Sequence, residues 1–99
     1  MELVLVSGQY QKLIENLEQF QHDQIRIEIT KVKSPYVYFK VTSDIGKSEV
    51  ISNISRAIRS DKNTTGFDFQ IYGFYRGKID FLTYMTDQSK QQYDYYKNK

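Results

Sequence analysis

The stretch QIRIEITKVKSPYVYFKVT, residues 24–42, alternates apolar and polar side chains in both of its halves. A period of two is typical of β-strands that bury one face of a sheet. The inward positions are all Ile, Val or Phe: Ile25, Ile27, Ile29, Val37, Phe39 and Val41. Between the two runs, KVKSPY breaks the alternation, and Pro35 favours a turn. The stretch therefore predicts an antiparallel hairpin with strands at 24–30 and 36–42.

A strand and a helix are predicted before this hairpin. ELVLV, residues 2–6, is a short apolar run typical of a buried central strand. In residues 8–23 the apolar side chains recur at the spacing of one helix face: Tyr10, Leu13, Ile14, Leu17 and Phe20. Ser7 directly precedes this segment and suits the N-cap position.

A second helix is predicted after the hairpin, within residues 43–63. Its apolar side chains form one stripe: Val50, Ile51, Ile54, Ala57 and Ile58. Arg56 and Arg59 fall outside this stripe, on the side that faces water. Ser43 or Asp44 suits the N-cap. Residues 61–66 are polar and are predicted to connect this helix to the next strand.

The stretch GFDFQIYGFYRGKIDFLTYM, residues 66–85, predicts a second hairpin that turns at Arg76 and Gly77. The length of the turn decides which later side chains share a face with Tyr72 and Phe74. The two registers bring different residues to that face: Leu82 and Tyr84 after a three-residue turn, Ile79 and Phe81 after a two-residue turn.

The end of the chain, TDQSKQQYDYYKNK, is polar and rich in Tyr, with no clear apolar stripe. Such a segment is typical of a short helix or a frayed tail. The whole chain has 99 residues, the size of one domain. We therefore expect a single α+β domain over residues 1–86 and a tail over residues 87–99.

The predicted element order is β-α-β-β-α-β-β. Its first six elements follow the split β-α-β arrangement of ferredoxin-like folds. Right-handed crossovers then place both helices on one side of a mostly antiparallel sheet. We therefore expect an α+β fold of the ferredoxin-like type, β-α-β-β-α-β, with an extra C-terminal strand and two helices on one face.

Several chemistries are excluded or disfavoured by composition. The chain has no Cys, which excludes disulfides, thiolate nucleophiles and Cys-based zinc sites. His22 is the single histidine, and Glu15 and Glu18 fall on the water-facing side of the first helix. IGKS, residues 45–48, lacks the earlier glycine of a phosphate-binding loop, because Val41 stands at that position. We therefore expect a protein that is not an enzyme, with no cofactor and no metal site.

The sequence indicates less about the cellular location and about the meaning of the charge distribution. Residues 1–10 carry no basic leader, and no segment approaches the roughly 20 apolar residues of a membrane span. The net charge is +2, with two Lys/Arg against five Asp/Glu in residues 1–30 and seven against three in residues 31–62. This bias is compatible with nucleic acid, but it is more typical of a solvated surface. We expect a cytoplasmic protein, and the abundant Lys, Asn, Ile and Tyr favour a bacterial or phage source.

The aromatic residues give the clearest indication of function. Because both helices are predicted on the Ile, Val and Phe side of the sheet, the opposite side is open. Several rings and cations should lie there. The candidate partner-binding residues are Arg26, Tyr36, Tyr38, Lys40, Tyr72, Phe74, Arg76 and Tyr84. Leaving large rings exposed forgoes about 1.5 to 3 kcal/mol each relative to burial, so a cover for this face is favourable.

Several covers are compatible with the sequence. A second copy or another protein is favoured, since tyrosine buries much area and keeps a polar tip. A single strand of RNA or DNA is the alternative, with bases on the rings and phosphates on the cations. The element order resembles that of the RNA-recognition motif, although SPYVYFKV lacks the glycine of its signature and ELVLV has no aromatic residue. The tail or a small molecule would also cover the face, and an exposed edge strand offers main-chain pairing.

Overall fold

The strands and helices of a computed structural model, which describes residues 1–80, follow the predicted order. In chain order they are β1 (Glu2–Val6), α1 (Tyr10–Gln19), β2 (Ile25–Lys33), β3 (Tyr36–Ser43), α2 (Lys47–Ser60), β4 (Gln70–Tyr75) and β5 (Lys78–Asp80). The expected tail at 87–99 and the expected domain end at 86 lie outside the described residues. Neither α1 nor α2, the helices of residues 1–80, is long and apolar enough to cross a membrane.

The five strands form one sheet in the order β2-β3-β1-β4-β5. Every neighbouring pair is antiparallel. β1 lies at the centre, paired with β3 on one side and β4 on the other, as its apolar sequence predicts. The prediction of an α+β fold with an antiparallel sheet and two helices is therefore confirmed.

The hydrophobic core lies between one face of this sheet and both helices. The buried residues from the strands are Leu3, Leu5, Ile25, Val37, Phe39, Val41 and Ile71. Those from the helices are Leu13, Leu17, Val50, Ile51, Ile54 and Ile58. Because Leu3 lies opposite Phe39 and Leu5 opposite both Val37 and Ile71, these strand residues share one face. Both helices therefore cover the same side of the sheet, and β1 presents Val4 to the other side.

The predicted helix caps are wrong at both helices. α1 begins after Gln9 and α2 after Gly46, and neither of these residues makes a side-chain cap hydrogen bond. Ser7 instead donates its hydroxyl to the backbone oxygen of Asp68 at 2.7 Å and accepts the Gln9 backbone N–H at 3.0 Å. Ser43 likewise accepts the backbone N–H of Ile45 at 3.0 Å. Both hydroxyls stabilise the turns that lead into the helices.

A polar network ties α1 to the loop after α2. The Thr64 hydroxyl is buried and donates to the Ile58 carbonyl at 2.7 Å. Asn16 of α1 donates its amide to the same Thr64 hydroxyl at 3.0 Å. The hydroxyl therefore satisfies a carbonyl at the end of α2 and also fixes the position of α1.

The buried stripe of α2 differs from its prediction at two positions. Ala57, expected in the stripe, is exposed. Ser55, a polar residue, is buried instead, with 4% of its surface accessible. Its hydroxyl has no hydrogen-bond partner. A buried hydroxyl without a partner destabilises the fold, since it loses its contacts with water.

The turn between β4 and β5 has two residues, so the three-residue alternative is wrong. Tyr75 pairs with Lys78 across the turn, and Phe74 pairs with Ile79. Arg76 and Gly77 both have positive φ, at 52° and 77°, which is the geometry of a tight hairpin turn. Ile79 therefore shares a face with Phe74, whereas Phe81, Leu82 and Tyr84 lie outside the described residues.

Replacing Ser55 with alanine should raise the stability of the protein. The change removes a buried hydroxyl that has no partner and adds a better helix former, so the free energy of unfolding should rise by about 0.5 to 2 kcal/mol. Urea unfolding followed by circular dichroism measures the change. Thr64→Ala is the control, because it removes a buried hydroxyl that is bonded, and it should lower stability by about 1 to 2 kcal/mol. Equal losses in both variants would contradict this assignment.

Candidate functional site

The rings of Tyr36, Tyr38, Tyr72 and Phe74 form the surface that we call the aromatic face. Tyr36 and Tyr38 belong to β3, and Tyr72 and Phe74 belong to β4. Alternation along each strand directs these side chains away from the helices, because Val37, Phe39 and Ile71 between them enter the core. The aromatic face therefore lies on the side of the sheet that neither α1 nor α2 covers.

Tyr38 of β3 contacts Phe74 of β4 across the central strand, and Tyr36 contacts Tyr38 along β3. The centroids of Tyr38 and Phe74 are 5.1 Å apart, with the ring planes at 66°, an edge-to-face arrangement. The Tyr36 and Tyr38 centroids are 6.2 Å apart. β1 lies between β3 and β4, so rings from strands that are not neighbours meet above it. Pairs of this kind stabilise by about 0.5 to 1.5 kcal/mol beyond their buried area.

Val4 makes this contact between the rings sterically feasible. It pairs with Tyr38 on one side and Tyr72 on the other. Its side chain points away from the helices, yet it has 0% accessible surface. A short β-branched side chain leaves room above β1 for large rings from both neighbours. The open side of the sheet therefore has a small apolar centre of its own, separate from the core under the helices.

The rings themselves remain partly accessible. Tyr36, Tyr38, Tyr72 and Phe74 are all half-buried, unlike Phe39 on the helix side, which is buried. Each ring thus retains apolar surface whose burial would be favourable, by about 25 cal/mol for each Å². Half-buried rings with polar hydroxyl tips are well suited to a protein interface.

A cleft of about 360 Å³ lies beside the Tyr38–Phe74 contact. Its lining side chains and backbone come from four strands and a turn: Glu2, Leu3, Thr30, Lys31, Tyr38, Phe39, Phe74 and Gly77. The Lys31 ammonium lies 5.9 Å from the centroid of the Tyr38 ring, close enough for a cation–π interaction. The cleft therefore combines two ring walls with one carboxylate and one ammonium group.

The remaining candidate residues do not all join the rings. Lys40 lies on the open side, between Glu28 of β2 and Glu2 of β1. Arg26 also lies on this side, near the end of the edge strand, opposite Thr42. Arg76 stacks on Tyr75 instead, 5.2 Å from its centroid.

Tyr75 alternates with Phe74 and points to the helix side, so the Arg76 guanidinium lies away from the aromatic face. The eighth candidate, Tyr84, lies outside the described residues.

Lys31 was missed as a site residue because the sequence hides a bulge. The register between β2 and β3 shifts between Ile29 and Lys31, so that Ile29 pairs with Phe39 and Lys31 with Tyr38. Strict alternation would send Lys31 to the helix side, whereas the bulge turns it to the open side. Glu2 and Val4, in contrast, were predictable, because ELVLV alternates about the inward residues Leu3 and Leu5.

His22, the single histidine, does not join this site. His22 stacks on Phe20 in the helix layer, with centroids 6.3 Å apart. Among residues 1–80, no three His, Cys, Asp or Glu side chains are grouped so that they could hold a metal ion.

Comparisons with models of protein families, with curated proteins and with solved structures gave no match to the chain. Function must therefore be inferred from the residues themselves.

The contact between Tyr38 and Phe74 should appear as a coupling energy. Replacing each residue with alanine, singly and together, should give a coupling of about 0.5 to 1.5 kcal/mol in the free energy of unfolding. Tyr38 and Tyr75 provide the matched control: Tyr75 is 65% exposed and points to the helix side, so their coupling should be near zero. Additive losses for Tyr38 and Phe74 would show that these two rings do not pack together in solution.

Proposed function

We propose that this protein is a small non-catalytic interaction domain, which self-associates or binds another protein through the aromatic face. The observation that carries the proposal is the cluster of half-buried rings beside the buried Val4, on the side opposite the helices. Contiguous apolar surface that stays partly accessible is typical of partner sites on proteins. The proposal includes no reaction, cofactor or metal.

The geometry of the rings favours a protein partner over a nucleic acid. Bases stack on flat ring faces that stand free, as in single-strand binders. Tyr38 and Phe74 instead meet edge to face, which makes a continuous apolar patch. Two carboxylates, Glu2 and Glu28, also lie on this side of the sheet and would repel phosphates.

A single-stranded RNA or DNA remains the second candidate. The observation in its favour is the Lys31 ammonium, which lies over Tyr38 at the cleft. Lys40 and Arg26 add positive charge on the same side of the sheet. A phosphate group near these cations with a base against Phe74 would be compatible with the lining of the cleft.

The strand order supports a ferredoxin-like plan as part of the same proposal. In that plan, the first and third strands are central neighbours, and the second and fourth strands flank them. The order β2-β3-β1-β4 fits this arrangement, and β5 adds one strand at the edge beside β4. We also propose a cytoplasmic location, which the absence of Cys supports.

Replacing Tyr36 with glutamate should weaken association through the aromatic face. The change places a charge among the rings but leaves the Tyr38–Phe74 contact intact, so the dissociation constant should rise by about tenfold or more. Tyr75→Glu is the matched control, because Tyr75 is 65% exposed and points to the helix side. Sedimentation equilibrium over a wide range of protein concentration reports the mass relative to the 11.8 kDa monomer.

A short single-stranded oligonucleotide of mixed sequence separates the two candidates. An assembly that is sensitive to Tyr36→Glu and indifferent to the oligonucleotide agrees with the protein partner. A monomer that binds the oligonucleotide with steep salt dependence would instead establish the second candidate. A monomer with neither behaviour would overturn self-association through this face.

A further inference from the structure

The outer edge of the sheet at β2 offers unpaired main-chain groups. Within residues 1–80, β2 is the first strand of the sheet and pairs with β3 alone. The backbone N–H and C=O of Val41 both bond to Met1. The backbone N–H and C=O groups of β3 point alternately to its two neighbours. Those of Lys40 and Thr42 therefore point toward β2, where Lys40 pairs with Glu28 and Thr42 with Arg26.

The same alternation directs the backbone groups of Ile27 and Ile29 outward, to the edge. An exposed row of this kind is a template for another strand.

The side chains along this edge are self-complementary. The sequence IRIEI, residues 25–29, is symmetric about Ile27 in its apolar positions and antisymmetric in its charges. When two such strands run antiparallel with Ile27 opposite Ile27, Arg26 of each lies opposite Glu28 of the other. Shifting the register by two residues either way instead places Arg26 opposite Arg26 or Glu28 opposite Glu28. Opposite charges stabilise a cross-strand pair and like charges destabilise it, so one register is favoured.

Apolar surface beside the edge also remains incompletely covered. Ile27 and Ile29 are only half-buried, although both pack against the core. On α1, Tyr10 and Ile14 are half-buried too. The helical spacing places these two on the flank opposite Asn16, which bonds to the loop after α2. They therefore lie on the flank of α1 nearer to β2.

We infer that a second copy of this chain pairs with β2 along this edge, strand to antiparallel strand, about a two-fold axis at Ile27. The two five-stranded sheets then form one continuous sheet. Ile27 exchanges main-chain hydrogen bonds with Ile27 of the second copy, and the Ile29 N–H donates to the Ile25 carbonyl of that copy. Arg26 and Glu28 form two equivalent ion pairs. The edge is separate from the aromatic face, so this inference does not depend on the proposed function.

The helix layer fits this arrangement. α1 contacts both β2 and β3. Its axis therefore lies about one strand spacing, roughly 5 Å, from the two-fold axis. The two α1 helices are then about 10 Å apart, close to the spacing at which helices pack. Tyr10 and Ile14 lie on the flank of α1 that faces the second copy, so pairing covers surface that the single chain leaves half-exposed.

The remainder of β2 limits the pairing to residues 25–29. The bulge between Ile29 and Lys31 bends the strand out of register. Lys31 and Lys33 beyond it are exposed charges, which oppose pairing at a sheet edge. At the other end, the Ile25 N–H already bonds to the His22 carbonyl. A short two-fold contact occupies the regular part of the edge, and this contact by itself joins two copies.

A charge exchange tests the pairing directly. Arg26→Glu places a carboxylate opposite Glu28 of the other copy at both ends of the contact, so the dissociation constant should rise by about tenfold or more. The double variant Arg26→Glu with Glu28→Arg restores opposite charges and should recover dimer formation. Sedimentation equilibrium gives the mass, and circular dichroism with thermal unfolding verifies that each variant is folded.

Amide hydrogen exchange provides the readout of register. The outward N–H groups of Ile27 and Ile29 should gain protection as the protein is concentrated. A dimer that ignores both charge variants overturns the inference. If Tyr36→Glu then dissociates that dimer, the two copies associate through the aromatic face. The proposed function would then be supported and the pairing at β2 would be wrong. The inference is also overturned if the Ile27 and Ile29 amides are equally protected at every protein concentration, because the edge would then be covered within one chain.

Discussion

The packing of both helices against one side of the sheet is the constraint on which the rest of the structure depends. Helices and strands that must bury an apolar face do so in layers, and a two-layer domain leaves one sheet face without a helix. Here the Leu, Ile, Val and Phe side chains of the core fill the space beneath α1 and α2. The rings on the opposite face therefore pack against one another and not against a helix.

The ring contacts on that opposite face depend on the sizes of the neighbouring side chains. A buried Val4 at the centre and large rings on both flanks allow Tyr38 and Phe74 to meet over β1. Val4 has no accessible surface, whereas each ring keeps some. Charged side chains lie around the rings on the same side of the sheet, notably Lys31, Lys40 and Glu2.

Much of the fold was predictable because its signals are local. Alternation in residues 24–42 and helical spacing in α1 and α2 depend on a few neighbours in sequence, and the element order follows from them. The N-caps were not predictable in this way, because the Ser7 hydroxyl bonds to the Asp68 carbonyl, 61 residues away. The bulge that turns Lys31 toward Tyr38 leaves no mark in the sequence, since Thr30 and Lys31 suit a regular strand equally well. Of the candidate site, the rings were predictable from alternation, whereas the direction of Arg76 depends on the turn and its contact with Tyr75.

The central claim is that the rings of the aromatic face are accessible in the single chain and become covered on association. Hydroxyl-radical labelling read out by mass spectrometry measures the accessibility of Tyr36 and Tyr38 directly, with the buried Phe39 on the same strand as an internal reference. In dilute protein, both tyrosines should be oxidised much faster than Phe39, and concentrated protein or a bound partner should slow them. Tyrosines as protected as Phe39 at the lowest concentration would show that the chain covers this face by itself, and the claim would be wrong.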